Sequence, residues 1–545
     1  MLVERPDPVN APRGDAAGTA AIRRDRVVLV AVGLLLFGWR LGAHDLWPPD
    51  EPRFALVARA MAERGDPIVL SFHDRLYTDK PPLFFWAVNL ASRITGEVDE
   101  WAVRLPSAVA GLLALLIVHR IGTWLYDRRA GLAGALVFAT ALQIAERARW
   151  GSIDMTLNLF VLASIALFLR GRLRPEVRTR SYLLAWACMG LGTLAKGPVG
   201  LLLPLLATWP AAFLDRDARP AARRMFLPAG AGLFLAIVAA WFVPFVLRVG
   251  PVVAFGEVLW HQNVNRYMDA WNATHPAWFY LWRFPLGFFP WIVFLPSAIG
   301  RTFGPEERGG RPAAIFLTAW ALAILLFFSF SSAKRGVYII PAYPAVSILV
   351  GRLLAEGGRR MRMSLSAWLA IAALLAAAVP ILAGRKAPEL APIGAAIGGL
   401  FLIGAALAWW ALRRGRGGPA AALLIGSIVL VHVAAIARVV PWVNRHQNIR
   451  VTAEEVRARL TPGAVFGTTE QKHDAWVFYT GREAVFLDDP PAALRFLQEE
   501  GARDLLIEDA ELDLIRDRLP AGVVEVLRGR VGSQDYFLLH REDGR

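Results

Sequence analysis

The 545-residue chain is 56% hydrophobic and only 19% charged, whereas soluble domains carry about 25% charged residues. Its apolar residues form blocks of about 20, the length that crosses a bilayer as a helix. This composition excludes an ordinary soluble protein and predicts a polytopic membrane protein. The net charge of +15 is then explained first by the positive-inside rule, so we expect no nucleic-acid partner. The single cysteine, Cys188, excludes a disulfide framework and a Cys-X-X-Cys site.

Thirteen apolar blocks bounded by charged residues are expected to cross the membrane. The first resembles a signal peptide, but cleavage near Ala43 would detach it from the polar motif that follows, so we interpret it as an anchor. Residues 1–22 are polar and rich in Pro, Gly and Ala, which predicts a disordered cytoplasmic N-terminus before a membrane domain at 23–440. The predicted spans lie near 26–43, 102–125, 130–145, 152–170, 181–195, 197–214, 226–248, 278–300, 312–331, 335–351, 365–384, 391–412 and 419–440.

Arginines are concentrated in alternate connections between these spans. Clusters occur before the first span and then near 128, 170–180, 216–224, 301–311, 352–362 and 413–416. By the positive-inside rule these connections are cytoplasmic. An odd number of spans then places the C-terminus and the two long loops, 44–101 and 249–277, on the outer face of the membrane.

The composition changes after residue 441. Strand-like runs alternate with helical ones, which predicts a small α/β domain at 441–545 on the outer face. It has no nucleotide-binding glycine loop, so an accessory or docking role is the simplest interpretation. The strand-like runs are 464–467, 484–487, 504–507, 523–527 and 535–539, and the helical runs are 473–480, 491–500 and 511–518.

The loop after the first span carries the first candidate site. Asp50, Glu51 and Arg53 emerge where the span ends, and the following helix, 54–64, is apolar on one side, as expected of a segment lying flat at the interface. Such a loop can fold back over a cavity. The alternative is that both acids merely stabilise the first turn of the helix, although the prolines on either side fix their direction.

Lysines are rare in this chain, and three of the five occur at informative positions. Lys80 lies in the same loop, Lys196 interrupts a long apolar run, and Lys334 with Arg335 separates two spans one turn before Tyr338. An ionisable residue at membrane depth is a functional hypothesis, and converging cations suit a phosphate headgroup whose tail stays in the bilayer. Snorkelling at span ends is the competing explanation.

Three further polar residues extend the candidate set. Asp154 opens the fourth span, either as a cavity residue or as a first-turn acid. His261 and Arg266 lie in the loop before the eighth span. His261 lacks the spacing of a metal site, whereas Arg266 among asparagines suits sugar hydroxyls or a phosphate.

Taken together, these motifs resemble the bacterial polyprenyl-phosphate-dependent GT-C glycosyltransferases, in the ArnT-like and protein O-mannosyltransferase superfamily. The resemblance covers about residues 1–345. The motifs that carry it are Asp50-Glu-Pro-Arg53, Tyr77-Thr-Asp-Lys-Pro-Pro82, Ala148-Arg-Trp-Gly-Ser-Ile-Asp154, Gly192-Thr-Leu-Ala-Lys-Gly-Pro198, Asn263-Val-Asn-Arg-Tyr267 and Ser332-Ala-Lys-Arg-Gly-Val-Tyr338.

The resemblance implies an all-α GT-C membrane domain of about 13 transmembrane helices with periplasmic juxtamembrane helices, in addition to the C-terminal α/β domain. It also implies an inverting enzyme of the bacterial inner membrane, here expected to be a monomer among membrane lipids. The donor would be a sugar on polyprenyl (undecaprenyl) phosphate, and the acceptor lipid A or another glycolipid or glycan on the periplasmic side.

The resemblance also suggests a role for each candidate residue. Asp50 and Glu51 are the catalytic candidates, with Asp50 as general base if the acceptor is a hydroxyl. The remaining candidates bind the donor phosphate or line the cavity. The phosphate set is Lys80, Arg266, Lys334, Arg335 and Tyr338, and the cavity set is Arg53, Tyr77, Asp154, Lys196 and His261.

One departure from the family pattern bears on metals. Where the aminoarabinose enzymes have a Glu-His pair, this chain has Gln262-Asn263 with His261 displaced by one position. We therefore expect metal-independent catalysis and no cofactor. Three rivals remain: an enzyme of the protein O-mannosyltransferase type acting on Ser or Thr, a lipid-linked sugar flippase, and a non-catalytic scaffold displaying the C-terminal domain.

Overall fold

The computed structural model describes residues 16–214, 225, 228–268, 273–302, 304, 310–469 and 472–542. Within these residues, eight helices are long and apolar enough to cross a membrane, or nine if one bent pair counts as a single span. In the described part of the chain, most of each predicted apolar block is helical, which confirms a polytopic helical membrane domain. The number thirteen stays a prediction, since several of these helices are too short or too polar to qualify.

The helices are numbered here in chain order. They are α1 Ala16–Gly33, α2 Asp50–Arg64, α3 Leu83–Thr95, α4 Glu100–Leu125, α5 Arg128–Thr140, α6 Leu142–Arg147, α7 Ile153–Leu173, α8 Arg178–Lys196, α9 Val199–Leu214, α10 Pro228–Val249, α11 Phe279–Gly287, α12 Leu295–Thr302, α13 Arg311–Phe330, α14 Tyr343–Glu356, α15 Gly358–Lys386, α16 Ala391–Arg413, α17 Gly417–Ala434, α18 Val440–Gln447, α19 Ile449–Arg459, α20 His473–Thr480, α21 Pro490–Gln498 and α22 Asp509–Leu512. A π-helical segment, Val252–Asn265, follows α10.

Two predicted spans are not single helices. The block at 130–145 is divided at Ala141 into α5 and α6. The block at 278–300 consists of α11 and a second helix, Trp291–Arg301, which is bent from it by 111°. Pro290 lies at this bend; it has no N–H to donate, and it disfavours helical geometry in the residue before it. The predicted span at 278–300 is therefore a bent helix pair, and it stays a prediction that the pair crosses the membrane as one span.

Close helix contacts depend on paired glycines. Helices α5 and α14 cross where Gly134 faces Gly351, and a Cβ atom on Gly351 would lie 2.2 Å from the backbone nitrogen of Gly134. Helices α8 and α9 meet in the same way at Gly192 and Gly200, where a Cβ on Gly200 would lie 2.1 Å from the Gly192 carbonyl carbon. Small residues let backbones approach closely in membrane bundles, where dispersion contacts drive association.

The juxtamembrane segment contains α2, a short hairpin of β1 Ser71–Phe72 and β2 Arg75–Leu76, and α3. Helix α2 ends at Gly65, whose φ of 62° is the left-handed conformation that favours glycine. The predicted apolar side of α2 is buried, including Phe54, Val57 and Met61. These side chains pack with α3 in one apolar cluster, so α2 is held against one end of the bundle.

The C-terminal region contains a five-stranded sheet of order β4-β3-β5-β7-β6. Strand β3 pairs in parallel with β4 and β5, and β7 pairs antiparallel with β5 and β6. All five predicted strand-like runs form strands, and α20 begins and ends where predicted. The strands are β3 Val465–Thr468, β4 Val485–Phe486, β5 Arg503–Glu508, β6 Val523–Val531 and β7 Gln534–Arg541.

The sheet domain is docked on the juxtamembrane segment through α20. Val477 and Phe478 join the apolar cluster of α2 and α3. The Tyr479 hydroxyl accepts a hydrogen bond from the Leu46 backbone N–H at 2.7 Å and donates one to Glu100 at 3.0 Å. The domain therefore covers the loop that carries the first candidate residues.

Candidate active site

A cavity of about 1240 Å³ opens beneath the juxtamembrane segment. One part of its wall is polar and the other apolar. Among the residues that the structure describes, seven cationic and three acidic side chains line it: Arg53, Lys80, Arg147, Lys196, Arg283, Lys334 and Arg335, with Asp50, Asp79 and Asp154. The apolar part includes Leu202 of α9, Val238 and Phe242 of α10, and Val258 of the π-helical segment. Such a cavity suits an amphiphile with an anionic head.

Asp50 lies at the wall between two guanidinium groups. Arg53 Nη2 donates to Asp50 Oδ1 at 2.5 Å, and Arg335 Nη1 approaches Asp50 Oδ2 at 3.4 Å. The first turn of α2 fixes Asp50 and Arg53 at a spacing of three residues, so that they share a helix face. Arg335 comes from the connection between α13 and α14. Arg53 and Arg335, which are far apart in sequence, thereby contact the same carboxylate.

Asp154 and Lys196 form a second polar pair deeper in the wall. The Lys196 ammonium group contacts Asp154 Oδ1, and the Ser152 hydroxyl donates to Asp154 Oδ2 at 3.1 Å. Lys196 also lies 4.7 Å from the centroid of the Tyr338 ring, a cation–π geometry. Lys196, which interrupts the apolar run, is therefore a charged residue inside the bundle that contacts both Asp154 and Tyr338.

Lys80 and Lys334 reach the same cavity from separate loops. Lys80 donates to the backbone carbonyl of Asp79 at 2.7 Å. Lys334 is 5% exposed, its ammonium group donates to the Ser331 carbonyl, and burial lowers its pKa. A buried ammonium is stabilised when an anion approaches it. These two lysines, with Arg335, form the cationic rim of the site.

Glu51 does not line the cavity, which argues against its predicted catalytic role. It is 1% exposed, and Arg104 donates to both of its carboxylate oxygens at 2.8 Å. The backbone N–H groups of Gly151 and Trp47 donate to the same oxygens at 2.7 and 2.9 Å. With both oxygens occupied, Glu51 ties the loop before α2 to α4 and positions its neighbour Asp50.

Two other candidates, Tyr77 and His261, also lie differently from the prediction. Tyr77 is buried under Phe72 and Phe85 with ring centroids at 6.1 and 5.8 Å, so it supports the loop instead of lining the cavity. His261 is not among the lining residues, whereas its neighbour Gln262 is. The side chain of Arg266 lies outside the described residues, and its phosphate-binding role stays a prediction.

The structure adds residues that the sequence did not single out. Arg147 and Arg283 line the cavity, and Arg147 stacks on Trp150 at 4.4 Å. Arg283 interrupts the aromatic run of α11, the same signal that identified Lys196. Gln262 donates from Nε2 to Asp79 Oδ1 at 2.9 Å. An amide–carboxylate hydrogen bond therefore stands where the family pattern implied a possible metal site.

Comparison with known proteins agrees with this architecture. A family model described as dolichyl-phosphate-mannose-protein mannosyltransferase matches residues 79–243. The undecaprenyl phosphate-alpha-4-amino-4-deoxy-L-arabinose arabinosyl transferase of Pectobacterium atrosepticum is 29% identical over 64% of this chain and 63% of its own length. The corresponding transferase 2 of Sodalis glossinidius is 28% identical over 88% of this chain and 90% of its own.

The fold itself matches a solved structure along almost the whole chain. The crystal structure of ArnT from Cupriavidus metallidurans bound to undecaprenyl phosphate superposes with a TM-score of 0.80 at 25% identity, covering 96% of this chain and 98% of that one. In sequence, the chain spans just under two thirds of the P. atrosepticum and Pectobacterium carotovorum relatives, at 63% and 65% of their lengths. Motifs, relatives and fold agree in their similarity to the bacterial ArnT-like GT-C glycosyltransferases.

Proposed function

We propose that this protein transfers a sugar, with inversion, from a polyprenyl phosphate to an acceptor on the periplasmic face of the inner membrane. The cavity carries this proposal, because one space combines a cationic rim with apolar walls formed by α9, α10 and the π-helical segment. A lipid phosphate needs both surfaces: cations for the phosphate and hydrocarbon contacts for the tail. The name of the Cupriavidus structure, bound to undecaprenyl phosphate, supports the same class of ligand.

In this mechanism the acceptor oxygen attacks the anomeric carbon while the bond from that carbon to the phosphate oxygen breaks. The leaving phosphate keeps the bonding electrons and gains negative charge. Lys80, Lys334 and Arg335 are placed to stabilise that charge. Arg335, held to Asp50 Oδ2 only at 3.4 Å, can turn to the phosphate. Asp50 Oδ2 is then open to accept the proton of an acceptor hydroxyl, while Arg53 keeps hold of Oδ1.

The acceptor distinguishes two versions of the proposal. A glycolipid such as lipid A is the acceptor that the resemblance to the aminoarabinose enzymes implies, whereas the family model at 79–243 is described as a protein mannosyltransferase. A phosphate acceptor is already ionised and needs no base. A Ser or Thr hydroxyl must lose a proton, and Asp50 is the described cavity residue best placed to take it.

The experiment is a transfer assay with purified protein in liposomes containing a polyprenyl-phosphate sugar, following release of polyprenyl phosphate. We expect Asp50→Asn to lower the rate by about 100-fold or more for a hydroxyl acceptor, the usual scale of general base catalysis. For a phosphate acceptor, partial activity should remain. The control is Asp74→Asn, in the same loop but with an 84% exposed side chain.

Release of free polyprenyl phosphate by the wild type excludes a flippase, which moves the donor without cleaving it. Wild-type rates for Asp50→Asn with every acceptor would contradict the role of Asp50.

A further inference from the structure

A second polar cluster lies outside the cavity, where the juxtamembrane hairpin meets the C-terminal domain. The two-residue turn between β1 and β2 consists of His73 and Asp74, with φ of 48° and 57°. Turns with positive φ at both central positions normally use Asn and Gly, and side chains held in this region cluster at functional sites. This turn directs His73 against His473 and Asp474 at the start of α20.

The three side chains have the geometry of a metal site. One donor atom from each lies within 4.8 Å of the others. His73 Nε2 and Asp474 Oδ1 are 3.3 Å apart, which is about the edge of a tetrahedron built on metal–ligand bonds of ~2.0–2.1 Å. The imidazole rings of His73 and His473 have centroids 4.9 Å apart. Two histidines and a carboxylate from two segments, the hairpin turn and the start of α20, are thus arranged around one point.

The second nitrogen of each imidazole is already hydrogen-bonded. His73 Nδ1 lies 3.0 Å from Glu483 Oε2, and His473 Nδ1 lies 2.7 Å from the buried hydroxyl of Thr468. Histidines that bind metal usually donate their other N–H to a carboxylate or another oxygen, which fixes the tautomer. Here these contacts orient the two Nε2 atoms for a ligand.

We propose that His73, His473 and Asp474 bind a divalent transition-metal ion of the zinc type, with water completing a tetrahedral site. None of the three lines the cavity, so the site is separate from the transfer chemistry. The metal joins the hairpin to the C-terminal domain. Because the chain runs from the hairpin directly to Asp79 and Lys80, such a clamp also fixes the loop that carries part of the cationic rim.

An ion pair without metal is the competing explanation. Such a pair accounts for the contacts of His73 with Asp474 and Glu483. It does not account for His473, whose ring centroid lies 4.9 Å from that of His73 and which brings a third donor atom within 4.8 Å of the other two.

The test measures Zn²⁺ binding to the full-length protein, purified in detergent without a polyhistidine tag and treated with EDTA. Titration with ZnCl₂ and the visible spectrum of the Co²⁺ form report stoichiometry and geometry. We expect one equivalent of Zn²⁺ bound, a tetrahedral Co²⁺ spectrum, and a rise in Tm on adding Zn²⁺. His73→Gln and His473→Gln should lose all three, and the control His446→Gln, remote from the cluster, should keep them.

A third variant tests the proposal even if the histidine variants do not fold. Glu483→Gln keeps every ligand and removes only the negative charge of the hydrogen-bond partner of His73, which should weaken Zn²⁺ binding by about 10–100-fold. Absence of stoichiometric Zn²⁺ in the wild type would overturn the proposal. The proposal would also be overturned if Glu483→Gln and either of the two histidine variants each bound Zn²⁺ with the affinity of the wild type.

Discussion

Two neighbouring acids, Asp50 and Glu51, occupy opposite environments. Asp50 is 30% exposed at the cavity wall, and its partners Arg53 and Arg335 also line the cavity. Glu51 is buried in a bidentate pair with Arg104. Burial alone raises the pKa of Glu51, but the charge and hydrogen bonds of Arg104, with those of two backbone N–H groups, lower it overall. One residue is therefore available for chemistry, and the other holds it in place.

Glu51→Gln should destabilise the protein by about 3–5 kcal/mol, because it leaves Arg104 buried without its counter-charge. Since the folded-state pKa of Glu51 is depressed, its contribution is present above the ordinary value of 4.5 and is lost as the pH falls through the folded-state value. Thermal unfolding in detergent should show a lower Tm for the variant, with less loss of stability on acidification than the wild type. Glu63→Gln, exposed on the same helix, should match the wild type, and equal Tm values for both variants would refute the buried pair.

Sequence identified the cavity residues where a charge interrupts apolar surroundings, as at Lys196 and Lys334. The same rule applied to α11 finds Arg283. Sequence could not tell Tyr77 and His261 from true cavity residues, because the direction of a side chain in a loop depends on contacts with distant segments. The burial of Glu51 could not be predicted for the same reason: Arg104, its partner, lies 53 positions away.

At the scale of elements, the bundle depends on close helix crossings more than on the apolar pattern. The helices α5 and α14 approach at Gly134 and Gly351. Apolar periodicity predicted the helices themselves, because length and hydropathy suffice for that. It did not predict the crossings, since glycine is common in membrane helices, nor the 111° bend at Pro290, which needs the neighbouring helices to fix it.

Gly351→Leu should separate α5 from α14, because its Cβ alone would lie 2.2 Å from the Gly134 nitrogen. Overpacking of this kind costs typically about 1–3 kcal/mol. Gly399→Leu is the matched control, since a Cβ at Gly399 meets nothing within 4 Å. Tm and monodispersity in detergent measure the effect. A Gly351→Leu protein as stable as Gly399→Leu would contradict the crossing.

At the scale of the whole molecule, the cavity lies between the membrane bundle and the juxtamembrane segment, which the C-terminal domain covers. Tyr479 and Phe478 anchor that domain to the loop around Asp50. Sequence predicted both domains, because their compositions differ sharply at about residue 441. It left their docking open, since α20 resembles any short amphipathic helix until its partner surface is known. The cavity has both its polar and its apolar walls only when the juxtamembrane segment is packed on the membrane bundle.

The most direct measurement is mass spectrometry of the lipids that co-purify with the wild type, Lys80→Ala and Lys386→Ala after gentle extraction. Lys386 is exposed at the end of α15, remote from the cavity. We predict a polyprenyl phosphate or its glycoside on the wild type and on Lys386→Ala, and at least about tenfold less on Lys80→Ala, equivalent to ~1.4 kcal/mol of binding free energy. Equal amounts on all three proteins would mean non-specific lipid and would contradict a donor phosphate site at the cationic rim.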